Sequence, residues 1–295
     1  MDFLETAKEF PLIMQCAFFA FGACMGSFLN VCILRVPRGE SIATPPSHCK
    51  CGAKIKWFDN IPIISWFVLR GRARCCGGAV SFRYPLVEAL TACLFLAVWN
   101  AFSPAAAFAN MAFVSLMIFC AFVDIDTMTL PDAATVGGAC FAVILSAALP
   151  ELHCDISSAD ANAPKLLLHI KSLGISVAGA AVSAGVIYWI RLLAEVVFRR
   201  EAMGEGDVIL LGCIGAFCGW QGGIFALFGG SLIGCAAVLP IAAFRAAFGK
   251  KGGANAGGGG LEIPFGPWLA LGAVAYIFCA KYVDAYFESL AKIFE

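Results

Sequence analysis

The chain has 295 residues, of which 61% are hydrophobic and 14% charged, and its mean hydropathy is +0.86. This composition excludes an ordinary soluble protein and is typical of a polytopic membrane protein. The formal net charge is +0, so only the distribution of charged residues along the chain can indicate its orientation. The first ten residues carry Asp2, Glu5 and Glu9 against Lys8, unlike the basic start of a secretory signal peptide. The first apolar run is therefore predicted to be an uncleaved anchor.

Long apolar runs recur along the chain. About 20 such residues cross the hydrocarbon core, and they do so as helices because a helix satisfies its own backbone in lipid. In the first run, Gly22 and Gly26 form a Gly-x-x-x-Gly pattern that favours close packing with a neighbouring helix. We predict an all-α polytopic membrane protein with about eight transmembrane helices, at residues 11–34, 84–102, 105–123, 132–150, 168–192, 207–220, 223–244 and 264–283.

The positions of the basic residues predict the orientation of these helices. If eight spans alternate, 15 of the 20 Lys and Arg residues fall on one face, which is cytoplasmic by the positive-inside rule. They are Arg35, Arg38, Lys50, Lys54, Lys56, Arg70, Arg72, Arg74, Arg83, Arg191, Arg199, Arg200, Arg245, Lys250 and Lys251. The acidic N-terminus and the loop with Glu151, Asp155 and Asp160 fall on the opposite face. This topology places Asp124 and Asp207 at the cytoplasmic ends of two spans.

The loop at 35–83 is long enough to form a small cytoplasmic folded unit. It contains two cysteine clusters, which in a reducing compartment favour metal binding over disulfides: Cys49, Cys51, Cys75 and Cys76. Four thiolates can hold a structural zinc ion. However, two residues usually separate the members of a pair, whereas here one pair has one residue between its members and the other has none. His48 is an alternative ligand, and the other alternative is four ordinary thiols in a loop that folds by its apolar residues.

Three other features of the chain carry no predicted chemistry. The cysteines within apolar runs are expected to behave as small hydrophobic residues. His153 and Cys154, in the external loop, lack metal-ligand spacing. The glycine-rich segment at 250–260 is predicted to be a flexible cytoplasmic linker.

Two boundary aspartates are the strongest candidates for catalysis. A carboxylate at the boundary of the hydrocarbon core carries a cost in free energy, so a protein that has one there is expected to use it for function. Peptide hydrolysis by an aspartyl pair needs two carboxylates that share one proton, so that one activates water while the other donates to the scissile carbonyl. Asp207 follows Gly204 and Gly206, which permit a tight, unusual backbone. The competing explanation is that these acids merely cap helix ends.

The partner of Asp207 must be chosen from neighbouring acids. Asp124 and Asp126 are two residues apart and point to nearly opposite sides of a helix, so only one of them can face Asp207. Asp132 follows Pro131 at the start of the next span, where an acid in the first helical turn has a structural explanation.

At this point the sequence resembles the type IV prepilin peptidases over nearly its whole length. The resemblance depends on ordered motifs at residues 26–37 (GSFLNVCILRVP), 47–49 (SHC), 59–62 (DNIP), 81–88 (SFRYPLVE), 124–132 (DIDTMTLPD), 203–207 (MGEGD) and 264–267 (PFGP). It implies an N-terminal prepilin-peptidase region at 11–102 that includes loop 35–83, and a membrane aspartyl peptidase region at 105–283.

The resemblance also implies an activity. Such enzymes lie in the bacterial inner membrane and cut the short basic leader of prepilins or pseudopilins after a glycine, at the cytoplasmic face. Members with the cysteine-bearing region also methylate the new N-terminal residue with S-adenosylmethionine. By position in the motifs, the catalytic pair is Asp124, with Asp126 as the alternative, and Asp207. The expected partners are prepilins or pseudopilins and membrane lipid, with no nucleic acid.

The chain departs from the family pattern in three ways. Cys51 follows Cys49 one residue early, Ala73 stands where the third cysteine is expected, and Ile209 replaces a common lysine after the second catalytic aspartate. The altered cysteine loop favours, as an alternative, a peptidase without methyltransferase activity. An ion-coupled transporter and an inactive assembly scaffold are the alternatives of other classes. Transporters tend to carry internal repeats and acids near the bilayer midplane, and the scaffold would lack a catalytic aspartate.

Overall fold

The computed structural model describes residues 10–49, 51–153, 164–199, 203–248 and 264–291. Its regular structure is helical, with two isolated β-bridges in the loop after the first helix. The helices are α1 (Pro11–Arg35), α2 (Ile64–Val68), α3 (Arg83–Ala101), α4 (Pro104–Thr127), α5 (Asp132–Ala148), α6 (Lys165–Phe198), α7 (Glu205–Phe248) and α8 (Gly266–Ala291). The predicted all-α membrane fold is confirmed.

Among the described residues, six helices are long and apolar enough to cross a membrane: α1, α3, α4, α6, α7 and α8. The shorter α5 is also apolar. It begins directly after Pro131, as predicted from the sequence. Four predictions fall on residues outside the described ranges: the acidic N-terminus, Cys154 with the acids after it, the basic residues Lys50, Arg200, Lys250 and Lys251, and the linker at 250–260.

Helix α7 contains both spans predicted at 207–220 and 223–244. Its backbone leaves helical geometry at Gly219, where φ is +71° and ψ is 177°. A Cβ atom added at Gly223 would lie 3.7 Å from the Cα atom of Gly215. Eight residues of continuous helix would separate these positions by about 12 Å. The chain therefore folds back at Gly219, and α7 consists of two arms, at 205–218 and 220–248.

The chain divides into two compact units, Met1–Phe119 and Cys120–Glu295. In the first unit α1 packs closely on α3, since a Cβ atom at Gly26 would lie only 2.6 Å from the Cα atom of Glu88. This contact confirms the packing role predicted for the Gly-x-x-x-Gly pattern. In the second unit α7 packs against α6 and α8, and Cys213 is buried within it as a small hydrophobic residue. Every described cysteine is a free thiol.

The fold-back of α7 leaves the carbonyl oxygen of Ala216 without the donor that a continuous helix would supply. Two side chains take its place: the hydroxyl of Ser176 donates to this oxygen at 2.8 Å, and Nε2 of His153 lies 3.2 Å from it. Ala216 is fully buried, and a buried backbone carbonyl needs such partners because an unpaired polar group is costly away from water. His153 therefore has a structural role that the sequence did not predict.

Candidate active site

Asp124 lies in the last turn of α4 and is buried, with 6% of its surface exposed. The backbone N–H of Gly266, the first residue of α8, donates a hydrogen bond of 2.9 Å to Asp124 Oδ2. A Cβ atom at position 266 would lie 2.7 Å from the same oxygen. The start of α8 thus holds this carboxyl group from one side, and the contact requires a glycine.

Asp207 is the third residue of α7 and is also buried, with 9% of its surface exposed. The backbone of Gly204 hydrogen-bonds to its carboxyl group. Gly206 is needed for a reason different from the predicted one: it lies within α7, and a Cβ atom there would lie 3.0 Å from Cβ of Leu130. A close approach of the segment before α5, rather than an unusual backbone conformation, therefore accounts for this glycine.

The structure brings Asp124 and Asp207 together. Their carboxyl groups are close enough to interact electrostatically, although both are buried. The two acids that competed for this place in the sequence are on the surface: Asp126 and Asp132 are both exposed. The ends of α4, α7 and α8 thus converge on one buried pair of carboxyl groups. Such a pair can share a proton and activate a water molecule.

Glu205 marks the exposed side of this site. It opens α7 two residues before Asp207, and 83% of its side chain is exposed. Its carboxylate lies 3.4 Å from a guanidinium nitrogen of Arg191, which also pairs with Glu195 at 2.8 Å. This ion pair is long and exposed on the Glu205 side, so it contributes little to stability. The negative charge of Glu205 therefore remains accessible to a basic ligand.

The four loop cysteines predicted as metal ligands converge in the first unit. All four sulfur atoms lie within 4.8 Å of one another, with 3.6 Å between Cys49 and Cys76 and 3.4 Å between Cys51 and Cys75. Sulfur atoms at the corners of a zinc tetrahedron with bonds of about 2.3 Å are about 3.8 Å apart. The group therefore fits one tetrahedral metal ion despite its unusual spacing. His48 instead points Nδ1 toward the carbonyl of Pro46, at 3.3 Å.

Tight turns explain how the shortened spacing is tolerated. In the first, Gly52 N–H donates to the Cys49 carbonyl and Cys49 N–H to the Ala53 carbonyl, both at 2.8 Å. In the second, Ala73 N–H donates to the carbonyl of Gly78. Hydrogen bonding from the Cys51 backbone lowers the pKa of Cys49 to about 7. The thiolate, which is the form that binds metals, is thus favoured at Cys49, whereas the hydrogen bond with Cys49 raises the pKa of Cys75 to about 12.

Sequence reasoning missed the backbone hydrogen bonds that Gly266 and Gly204 make to the two aspartates. Both act through the backbone, which residue type does not reveal. The signal available for Gly266 was its motif, PFGP at 264–267, which contributed to the resemblance but suggested no role.

Comparisons with known proteins agree with the resemblance. Residues 20–102 match the family described as Bacterial Peptidase A24 N-terminal domain, and residues 111–239 match the Type IV leader peptidase family. No solved structure gives a significant match.

Several curated relatives align with much of the chain. The Prepilin leader peptidase/N-methyltransferase of Dickeya chrysanthemi is 33% identical, over 92% of this chain and 94% of the relative. The Type 4 prepilin-like proteins leader peptide-processing enzyme of Escherichia coli O78:H11 is 32% identical, over 93% and 97%. The Prepilin leader peptidase/N-methyltransferase of Myxococcus xanthus is 38% identical over 75% of this chain, but the match spans only 62% of that relative, less than two thirds of its length.

Proposed function

The chain belongs to the type IV leader peptidase family, and we propose that it cleaves the short basic leader of type IV prepilins or pseudopilins after a glycine. We propose that it does so at the cytoplasmic face of the bacterial inner membrane, with Asp124 and Asp207 as the catalytic pair. The observation that carries this proposal is the buried convergence of these two carboxyl groups at adjoining helix ends.

The proposed mechanism needs both carboxyl groups and one shared proton. One carboxylate accepts a proton from a water molecule, whose oxygen forms a bond to the scissile carbonyl carbon. The other, protonated group donates to the carbonyl oxygen. The tetrahedral intermediate then collapses and its C–N bond breaks. The leaving amine takes the proton that the first carboxyl group received from water, and a hydroxyl group of the intermediate returns a proton to the second carboxylate. Burial supports this chemistry because two like charges in close proximity cannot both remain ionised.

The Gly266 hydrogen bond supports separate proposed roles for the two oxygens of Asp124. Oδ2 is occupied by the N–H group of Gly266. Oδ1 is therefore the oxygen that we propose to contact water or the shared proton. In this arrangement α8 is a positioning element, since it touches the carboxyl group and holds it at a fixed angle.

The leader of the substrate is basic in this proposal, and the acids that surround the site suit it. Glu205 and Asp126 are exposed at the ends of the helices that carry the catalytic pair, and Asp132 is exposed at the start of α5. We propose that Glu205 attracts the leader, while the apolar part of the substrate enters as a helix from the lipid.

A second activity is proposed on the product. Two of the relatives carry N-methyltransferase in their names, and we propose that this chain methylates the newly exposed N-terminal amine. S-adenosylmethionine would supply the methyl group. The cysteine cluster would hold one zinc ion as a structural element of the loop, with Cys49, Cys51, Cys75 and Cys76 as ligands.

Both activities can be tested in one experiment. The purified chain in lipid vesicles is incubated with a prepilin, with and without S-adenosylmethionine, and the product is identified by mass spectrometry. We expect loss of the leader after a glycine in both samples and one additional methyl group only with S-adenosylmethionine. An intact prepilin would overturn the peptidase proposal, and an unmethylated product in both samples would favour the peptidase that lacks methyltransferase activity.

A further inference from the structure

An apolar patch lies on the outer surface of the cysteine-bearing loop. The patch consists of Ile64, Phe67 and Val68 on short helix α2, together with Phe82 before α3. All four are exposed, Val68 to 68%. Positions i, i+3 and i+4 share one face of a helix, so the three α2 residues form a continuous surface. In water, such a surface favours contact with a partner or a membrane.

The aromatic side chain of Trp66, also on α2, faces the interior of the loop instead. Trp66 donates its ring N–H to the carbonyl of Val80 at 3.0 Å. Its ring also leaves no room at Gly71, where a Cβ atom would lie 2.9 Å away. Trp66 therefore forms the interior of the loop, while Phe67 and Phe82 contact its ring with centroid distances of 5.2 and 5.4 Å. The patch is the outer side of a folded unit and not an unfolded segment.

A hydrogen bond fixes the position of this patch along helix α3. The backbone N–H of Ile63, directly before α2, donates to Glu88 Oε2 at 2.7 Å, and Glu88 is buried. Glu88 lies five residues after Arg83, where α3 begins, and therefore about 7.5 Å along the helix. At this level the exposed side chains of α3 are apolar, Leu86 and Leu90. The patch is thus level with the first turns of a helix that spans the membrane.

The charges around the patch suit an anionic surface. Between residues 51 and 83 the basic residues are Lys54, Lys56, Arg70, Arg72, Arg74 and Arg83. The single acid in this stretch, Asp59, is paired with Arg74 at 2.9 Å. The stretch therefore combines exposed apolar side chains with a positive charge. These two features are typical of segments that lie in the boundary between headgroups and acyl chains, about 5–10 Å deep.

We propose that Ile64, Phe67, Val68 and Phe82 insert into the lipid leaflet, with the surrounding Lys and Arg residues on anionic headgroups. The partner is the phospholipid bilayer that the neighbouring helices cross. The loop then lies on the membrane as an anchored unit, held by Glu88 on one side and by lipid on the other. This inference concerns lipid binding by the loop and does not depend on peptidase activity.

Photo-crosslinking in vesicles tests the proposal directly. The photoreactive amino acid p-benzoylphenylalanine replaces Phe67 in the full chain, which is reconstituted in mixed phosphatidylcholine and phosphatidylglycerol vesicles. Because Phe67 is 60% exposed, its replacement by a similar aromatic side chain is compatible with folding. The matched control carries the same amino acid at Glu40, an exposed polar position of the same loop.

We expect a mass shift of one phospholipid after irradiation at position 67 and none at position 40, with phosphatidylglycerol adducts above its share of the mixture. Equal lipid adducts at both positions would overturn the proposal, because the patch would then have no special contact with lipid. Absence of lipid adducts would also overturn it. Adducts between two chains, or with an added prepilin, in place of lipid would assign the patch to a protein partner instead.

Discussion

The backbone N–H of Gly266 donates a 2.9 Å hydrogen bond to Oδ2 of Asp124, across 142 residues of sequence. It joins the first residue of the last described helix to the carboxyl group at the end of α4. No side chain is involved on the Gly266 side, and the contact leaves Asp124 Oδ1 for other partners. The geometry of the candidate site therefore depends on a helix that supplies neither of the two aspartates.

Replacing Gly266 with alanine should reduce catalysis by displacing the Asp124 carboxyl group. The added Cβ atom would lie 2.7 Å from Oδ2, so the side chain must move. A displacement of about 1 Å can lower the rate by about 100-fold. We expect kcat for prepilin cleavage to fall while KM changes little, because the substrate-binding surface is unaltered.

The matched control for Gly266→Ala is Gly137→Ala in α5, where an added Cβ atom meets nothing within 4 Å. This variant should retain the kcat of the wild type. If Gly266→Ala also retains it, the positioning role of α8 is refuted.

The variant Glu205→Gln should weaken the binding of basic leaders. Its carboxylate is exposed beside the site and only loosely paired with Arg191. Loss of an exposed charge contact worth about 0.2–1 kcal/mol corresponds to a rise in KM of about 1.4- to fivefold, larger for leaders with more positive charges. The effect should vanish at high salt, which screens exposed charges. Glu151→Gln, in the short turn after α5, is the control, and equal KM changes in both variants would contradict this role.

The purified chain should contain about one zinc ion, bound by the four loop cysteines. Their sulfur atoms are already within tetrahedral range of one another. Elemental analysis by mass spectrometry should show that Cys51→Ser lowers the zinc content, while Cys24→Ser, in α1, leaves it unchanged. A wild-type chain that binds no zinc when purified in its presence would refute the site.

The contribution of His153 to the thermal stability of the chain should decrease as the pH falls from about 6.5 to about 4. Burial lowers the pKa of His153 from 6.5 to about 4, so in this range the unfolded chain binds a proton at His153 that the folded chain does not. The contribution of His153 to stability is therefore lost as the pH falls and is fully present above pH 6.5.

Two variants isolate this effect of His153. His153→Gln can still donate to the Ala216 carbonyl but does not titrate, so its melting temperature should fall less between pH 6.5 and 4. Ser176→Ala removes the other donor to the same oxygen. It should lower the melting temperature at every pH and keep the wild-type slope. An unchanged slope in His153→Gln would contradict the assignment.

Much of this architecture could be predicted because lipid imposes simple rules. Apolar runs in the sequence locate the helices. The two spans predicted at 207–220 and 223–244 both lie in α7, on either side of the fold-back at Gly219. Helix geometry also predicted that only one of Asp124 and Asp126 could face Asp207, and the position of Asp124 in the family motif selected it.

The contacts that the sequence did not reveal are those that depend on backbone groups or on close approach. Gly266 acts through its N–H, Gly206 is needed because Leu130 approaches it, and Ala216 needs outside donors because the helix breaks after it. The spacing of the cysteines suggested that all four could bind one metal ion only with strain. Hydrogen-bonded turns around Cys49 and Ala73 bring the sulfur atoms together despite this spacing, and such turns become visible only in the folded loop.

The most direct test of the central claim compares prepilin cleavage by the wild-type chain with cleavage by Asp124→Asn, Asp126→Asn and Asp207→Asn. All four proteins are purified in parallel, checked for equal thermal stability, and assayed by product mass. The aspartate-pair account predicts that Asp124→Asn and Asp207→Asn are inactive while the exposed Asp126 tolerates the change. Full activity in either of the first two variants would contradict it.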